Sequence, residues 1–197
     1  MSVLIACKKD NVVYMGTDTR VIVNEHKKSE LCESNYKIQK LENGMLLGVI
    51  SERITRQVIF AYSEIFTLDK KGRLTRKHII EEIIPSLFKV LHKNELMVKE
   101  EGDVPSMSAQ IILAHEDTLY EIYKDFTVYR YEDFQILGSS VSYGQFIISN
   151  IKETDDVNNS IVKALEMISK YNQLVGRPYL LIDTKDKEYK LIRGEDE

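Results

Sequence analysis

Ser2 stands directly behind the initiator methionine, and Asp18 follows it by sixteen positions within an Asp-Thr-Arg run that ends at Arg20. A hydroxyl residue at such a place has a specific chemistry open to it. Once Met1 is removed, Ser2 holds a nucleophilic oxygen and a free α-amine in one residue, and the amine serves as the base for its own hydroxyl. Other residue types give less. The four histidines, His26, His78, His92 and His115, are scattered with no ligand spacing, and no His-Glu-x-x-His or paired-cysteine motif occurs, so no metal site is expected. Gly138 to Gly144 lacks the Gly-Lys-Ser/Thr ending of a phosphate cradle and reads as a strand-to-helix turn, so no cofactor is expected either.

The elements that would position Ser2 and Asp18 follow from periodicity. Val3 to Cys7 and Val12 to Gly16 are short β-rich runs around a polar Lys-Lys-Asp-Asn cluster, which predicts a hairpin. A polar stretch, Asn24 to Asn35, leads to Tyr36 to Leu41. Asn43-Gly44 then turns the chain into Met45 to Ile50, a second hairpin. From Ser51, read as an N-cap, the period changes: Ile54, Val58, Ala61, Tyr62 and Ile65 define one face of a helix. A longer helix is expected over Lys77 to Met97, with Ile80, Ile83, Ile84, Leu87, Phe88 and Leu91 as its stripe and a kink at Pro85.

After a polar loop at Glu100 to Pro105, strands are expected at Ala109 to Ala114, Leu119 to Tyr123, Thr127 to Tyr131 and Phe134 to Leu137. Helices follow at Val141 to Ile151 and Val157 to Leu174, then strands at Tyr179 to Ile182 and Tyr189 to Ile192. Runs of strands and runs of helices point to an α+β chain with mostly antiparallel sheets. Continuously apolar strands such as Ile111 to Leu113 call for burial on both faces. Two sheets face to face, each covered by a pair of helices, satisfy that requirement.

The 197 residues suit one domain over 1–197, and 43% hydrophobic with 29% charged residues is an ordinary globular composition. A formal net charge of -4 argues against nucleic acid. Cys7 and Cys32 have no close partners, no apolar run spans a bilayer, and no leader segment is evident, so a cytoplasmic protein is expected. The tyrosines at 120, 123, 129 and 131 read as sheet packing or a subunit contact, and the acidic tail from Gly194 to Glu197 as solvated surface.

In its element order, and in the spacing of Ser2 and Asp18, the chain resembles a proteasome β-type subunit. That family of N-terminal nucleophile hydrolases includes the bacterial two-component heat-shock protease subunit. The resemblance implies a four-layer αββα sandwich. It also implies roles. Lys37, in Lys37-Ile38-Gln39-Lys40-Leu41, resembles the family's lysine at a strand start and would stand beside Asp18 and orient Ser2, although the loop before it is longer than usual. Backbone N–H donors for an oxyanion would come from Gly48 to Glu52, with Ser51 where the family usually has glycine. Gly138-Ser139-Ser140 resembles the family's Gly-Ser-Gly, making Ser139 a support for the nucleophile. In Asn172 to Gly176, Asn172 and Val175 replace the family's polar pair, Asp and Ser.

Two functions are therefore open. One is a hydrolase of peptides or small amides, with Ser2 as nucleophile and no propeptide beyond Met1. The other is a catalytically silent subunit that builds a shell or binds a partner. Either implies a homo-oligomer, a ring or a spiral, with an ATPase as a further partner.

Overall fold

Apolar residues at consecutive positions of the central strands set the architecture, because a strand with two apolar faces needs a packing partner on each side. The computed structural model describes residues 2–23, 26–28, 36–98, 104–139, 141–149 and 156–193. Met1, Cys32, Ser140, the Glu100 to Asp103 part of the polar loop, the end of the helix expected to reach Ile151, and the acidic tail lie outside them.

One five-stranded antiparallel sheet contains β1 (Val3–Lys9), β2 (Val12–Asp18), β12 (Phe134–Gly138), β13 (Tyr179–Asp183) and β14 (Lys190–Ile192), in the order β12-β1-β2-β13-β14. A second contains β5 (Ile38–Lys40), β6 (Leu46–Ile50), β9 (Gln110–His115), β10 (Thr118–Ile122) and β11 (Val128–Tyr131), in the order β11-β10-β9-β6-β5. The expected hairpins and the α+β class are borne out. Two short ribbons add to them. β3 (Val21–Val23) pairs with β4 (His26–Lys28), and β4 falls within the polar stretch Asn24 to Asn35. β7 (Met97–Val98) pairs with β8 (Ser106–Met107).

Alternate residues of each central strand enter different apolar clusters. In β1, Val3, Ile5 and Cys7 pack with residues of α5 (Val157–Tyr171), whereas Leu4 and Ala6 join Ile112, Ala114 and Leu46 of the other sheet. In β9, Ile111 and Leu113 face Ile59 of α1 (Arg53–Ala61) and Leu87 and Leu91 of α3 (Ile84–Lys93). The double burial expected of Ile111 to Leu113 is thus observed. Gly48 of β6 leaves room for Leu4 and Met15: a Cβ there would lie 2.6 Å from Leu4 Cδ1 and 2.7 Å from Met15 Cε. At the β11 edge, buried Glu121 accepts from Gln110 Nε2 at 3.0 Å and from the Tyr131 hydroxyl at 2.7 Å. Gln135 of β12 also donates to Glu121, which ties the edges of the two sheets together. Burial and the Glu121 carboxylate push the Tyr131 phenol well above its ordinary value.

The helices depart from the expected faces. In α1 the buried residues are Thr55, Arg56 and Ile59, whereas Ile54 is 55% exposed and Ala61 is exposed. The stripe Ile54, Val58, Ala61 is therefore not the core face; the helix is rotated so that Arg56 points inward. Ser51 does not cap it either. Glu52 holds the N-cap position without a side-chain bond, and the Ser51 hydroxyl donates to the Glu52 carbonyl at 2.8 Å. The second helix is not one regular element. α2 (Arg76–His78) runs into a π-helical turn, Ile79–Ile83, and then into α3, with Pro85 in the first turn of α3. Pro85 has no N–H to give, so a change of hydrogen-bond pattern just before it has a direct cause. Ile79, Ile83, Leu87 and Leu91 form the buried face, and Ile80 turns outward. α4 (Val141–Ser149) and α5 complete the set, with α5 ending at Tyr171 rather than Leu174. No helix among the described residues is long and apolar enough to cross a membrane.

Candidate functional site

The pairing of β1 with β2 brings Ser2 and Asp18 to one end of the first sheet, since Leu4 lies opposite Thr17. The Asp18 carboxylate then makes two contacts. Its Oδ1 accepts the Val3 N–H at 3.0 Å, which fixes the peptide joining Ser2 to Val3. Its Oδ2 lies 2.8 Å from Lys37 Nζ, which also donates to the Asp18 carbonyl at 2.5 Å. The Thr17 hydroxyl donates to the Val3 carbonyl at 2.6 Å. Ser2 is thereby held from the residue that follows it.

Lys37 reaches this point from the residue before β5. Its carbonyl accepts from Val49 N at 2.8 Å, so it sits beside the strand that leads into Ser51 and α1. Asp18 is 0% exposed and Lys37 1%, so this is a buried ion pair rather than a surface one. Burial pulls the Lys37 ammonium below the ordinary lysine value, against the opposing pull of Asp18, and the Arg56 guanidinium adds to the lowering.

From the other side, Gly138 and Ser139 hold Ser2 by its carbonyl. Ser139 N donates to Ser2 O at 3.1 Å. Gly138 adopts φ +107°, and a Cβ at that position would lie 1.9 Å from Ser2 O. Only glycine fits there. Ser139 is in turn fixed by Asn172, whose Nδ2 donates to Ser139 Oγ at 2.8 Å and whose Oδ1 accepts from Leu174 N at 3.0 Å. Asn172, read from the sequence as a departure from the family pattern, thus supplies a polar contact at this end of the sheet. Val175 is buried in the apolar cluster against α5.

Arg20 braces the same loop. It donates to the carbonyls of Gln173 at 3.0 Å and Val175 at 3.3 Å, and Gly176 makes room for its guanidinium.

Of the residues singled out in the sequence, Ser2, Asp18, Lys37 and Ser139 are linked through these bonds. The Ser51 side chain is not: among the described residues its hydroxyl bonds only the Glu52 carbonyl. Two participants were not anticipated. Thr17 lies within a strand and carries no local signal. Arg56 was hidden by the helical stripe of Ile54 and Val58, although an arginine between two apolar positions was the available clue. Among the described residues no group of three or more His, Cys, Asp or Glu side chains gathers as metal ligands would.

By sequence, no family model and no curated protein matches the chain. By structure, it is similar to Thiobacillus denitrificans BPH, with a TM-score of 0.74 at 16% identity over 92% of this chain and 96% of that one; BPH has also been solved in complex with epoxomicin. It is similar to eukaryotic HslV from Trypanosoma brucei, with a TM-score of 0.61 at 14% identity over 92% of this chain and 98% of that one. It is also similar to the Pseudomonas aeruginosa Anbu complex, solved as a helical assembly, with a TM-score of 0.66 at 14% identity over 98% of this chain and 88% of that one. The fold of this chain is that of these proteasome β-type proteins.

Proposed function

We propose that the protein is a proteasome-like hydrolase of peptide or amide bonds, with Ser2 as its N-terminal nucleophile after loss of Met1. The observation that carries this reading is the double role of Asp18, which binds the Val3 N–H with one carboxylate oxygen and pairs with Lys37 through the other. One acid therefore couples the backbone beside Ser2 to a buried cation, which is the support a small nucleophile needs. In this reading a free α-amine, with an ordinary pKa of about 7.7–8.0, takes the Ser2 proton near neutrality. The hydroxyl oxygen attacks the substrate carbonyl, the protonated α-amine passes its proton to the substrate's leaving nitrogen as the C–N bond breaks, and water then hydrolyses the acyl ester and restores the Ser2 hydroxyl. Within Gly48 to Glu52, where Val49 N–H already donates to the Lys37 carbonyl, the backbone N–H groups beyond the strand, at Ser51 and Glu52, receive the oxyanion, and Ser139 steadies Ser2. The chain forms one domain, and the three apolar clusters support a four-layer αββα arrangement. The complex of BPH with epoxomicin supports labelling by an epoxyketone as the test. Intact-mass analysis should show a native chain lacking Met1, and an epoxyketone or serine-directed probe should label it, with labelling lost in Ser2→Ala. Retention of Met1 throughout the population would overturn the reading.

Self-association into a ring or spiral belongs to the same proposal, with an ATPase as a further partner. Tyr143 and Tyr171 stack at 4.5 Å and are 46% and 63% exposed, and Phe146 beside them is 77% exposed, an aromatic patch suited to a subunit contact. Light scattering should return a mass several times that of one chain.

A second reading, a catalytically silent subunit, is favoured by Ser51. It places a side chain in the loop that would supply the oxyanion donors. Absence of labelling together with assembly into a large particle would select it.

A further inference from the structure

Resting on the hydrolase reading, we propose that Arg20 is a positioning residue for Ser2, and that its guanidinium acts as a cation built into the carbonyls of the loop 172–176. Asp18, Thr19 and Arg20 are consecutive, yet each is committed to a different partner. Asp18 holds the Val3 N–H and Lys37. Thr19 is buried and donates twice to the Pro178 carbonyl, from its N at 3.1 Å and from its Oγ1 at 2.9 Å. Arg20 Nη1 donates to the carbonyls of Gln173 at 3.0 Å and Val175 at 3.3 Å, and the Arg20 carbonyl lies 3.5 Å from Lys37 Nζ. The run therefore fastens the end of β2 to the loop after α5. Arg20 touches both halves of the site, the lysine on one side and the loop that carries Asn172 on the other.

The turn after α5 explains why a cation belongs there. Asn172 N donates to the Ile168 carbonyl at 2.9 Å, and the Asn172 carbonyl accepts from Val175 N at 3.0 Å. The turn aims the carbonyl oxygens of Gln173 and Val175 at one nitrogen. Converging carbonyl dipoles repel each other, and a positive charge between them offsets the repulsion. Gly176 completes the enclosure: a Cβ there would lie 2.3 Å from Arg20 Cζ, and Gly176 is not among the residues with positive φ. Room for the guanidinium, rather than backbone conformation, is what asks for glycine. The same turn orients Asn172. Its Oδ1 faces the Leu174 N–H, an obligatory donor, so its Nδ2 must face Ser139 Oγ. A shift of the loop is thus passed to Ser139, and from the Ser139 N–H to the Ser2 carbonyl.

The test compares Arg20→Ala, which deletes the guanidinium, with Gly176→Ala, which displaces it, singly and together. Two readouts separate the inference from the hydrolase reading. Amide hydrogen exchange at Leu174 and Ser139, followed by NMR, needs no turnover, and the rate of epoxyketone labelling reports on Ser2. Each single variant should exchange both amides about tenfold faster and label about tenfold more slowly. The double variant should be no worse than Arg20→Ala, because the added methyl group then enters emptied space. Methylguanidinium should restore both readouts in Arg20→Ala but not in Gly176→Ala, where the enclosure is blocked, and Arg20→Lys should retain part of each. Unchanged exchange in Gly176→Ala overturns the inference even if Arg20→Ala fails to fold, and so do additive effects in the double variant. Faster exchange with an undiminished labelling rate also overturns it, since the loop would then not position Ser2. If the wild-type protein does not label at all, the hydrolase reading fails, whereas faster exchange at Ser139 that methylguanidinium reverses still supports the hold of Arg20 on Ser2.

Discussion

Asn172 Nδ2 donates to Ser139 Oγ at 2.8 Å, and Ser139 N donates to Ser2 O at 3.1 Å, so the end of α5 is joined to Ser2 through a single intermediary residue. Removing the first contact should disturb the second. Asn172→Ala should cost about 1 kcal/mol of stability, the net worth of one hydrogen bond, and should slow probe labelling of Ser2. Asn172→Asp should restore much of the labelling, because Ser139 can donate its hydroxyl proton to a carboxylate. Thermal denaturation together with labelling rates checks both statements, and equal behaviour of the alanine and aspartate variants would contradict them.

Gly138 allows the Ser2 carbonyl to approach at a distance that no side chain permits. Gly138→Ala combines a contact far below van der Waals separation with a φ that side chains rarely adopt. The expected cost is about 1–3 kcal/mol, with Ser2 displaced and labelling lost while the protein remains folded. Gly44 also has positive φ, but nothing lies near its missing Cβ, so Gly44→Ala serves as a control for strain alone. If both variants label normally, the close approach at Gly138 has no role in holding Ser2.

Lys37 should titrate below the ordinary lysine value of 10.5, with burial as the main cause and Arg56 as a contributor. Arg56→Met removes a like charge, so the Lys37 pKa should rise in that variant. The sign for stability follows from proton binding. Between the folded and unfolded pKa values the unfolded chain holds more protons, so this group's contribution to stability grows as pH rises through that window. In Arg56→Met the window should narrow. NMR of lysines labelled at Cε reads the titration directly, and an unchanged Lys37 curve would count against electrostatic coupling to Arg56.

Gly48 is where β6 meets Leu4 and Met15 of the other sheet. Gly48→Val should destabilise the fold by about 1–3 kcal/mol through overpacking, while Gly48→Val combined with Leu4→Ala should recover part of the loss. Chemical denaturation of the two variants decides it. Additive losses would mean that the residues do not share space.

Much of the architecture was legible because it is written in local periods. The apolar runs Val3 to Cys7 and Ile111 to Leu113 read as strands from their composition and length alone, and Asn43-Gly44 announces its turn. The rotation of α1 was not legible. Ile54 and Val58 are as good a helical stripe as Thr55 and Ile59, and only packing against the second sheet selects which side is covered. The π-turn before Pro85 was likewise only partly announced, since a proline says that the hydrogen-bond pattern must change but not how the chain will absorb it.

The sequence by itself determined the element order, the α+β class and the short separation of Ser2 from Asp18 along one hairpin. Each of these rests on contacts between near neighbours in the chain. The tertiary structure decided everything that depends on residues far apart in it: that Asp18 binds both Val3 and Lys37, that Asn172 reaches Ser139, and that Arg56 is buried beside an acid already occupied. Hydrogen bonds and buried charges are set by the final positions of atoms within a few ångströms, and those positions exist only once both sheets and their helices have packed.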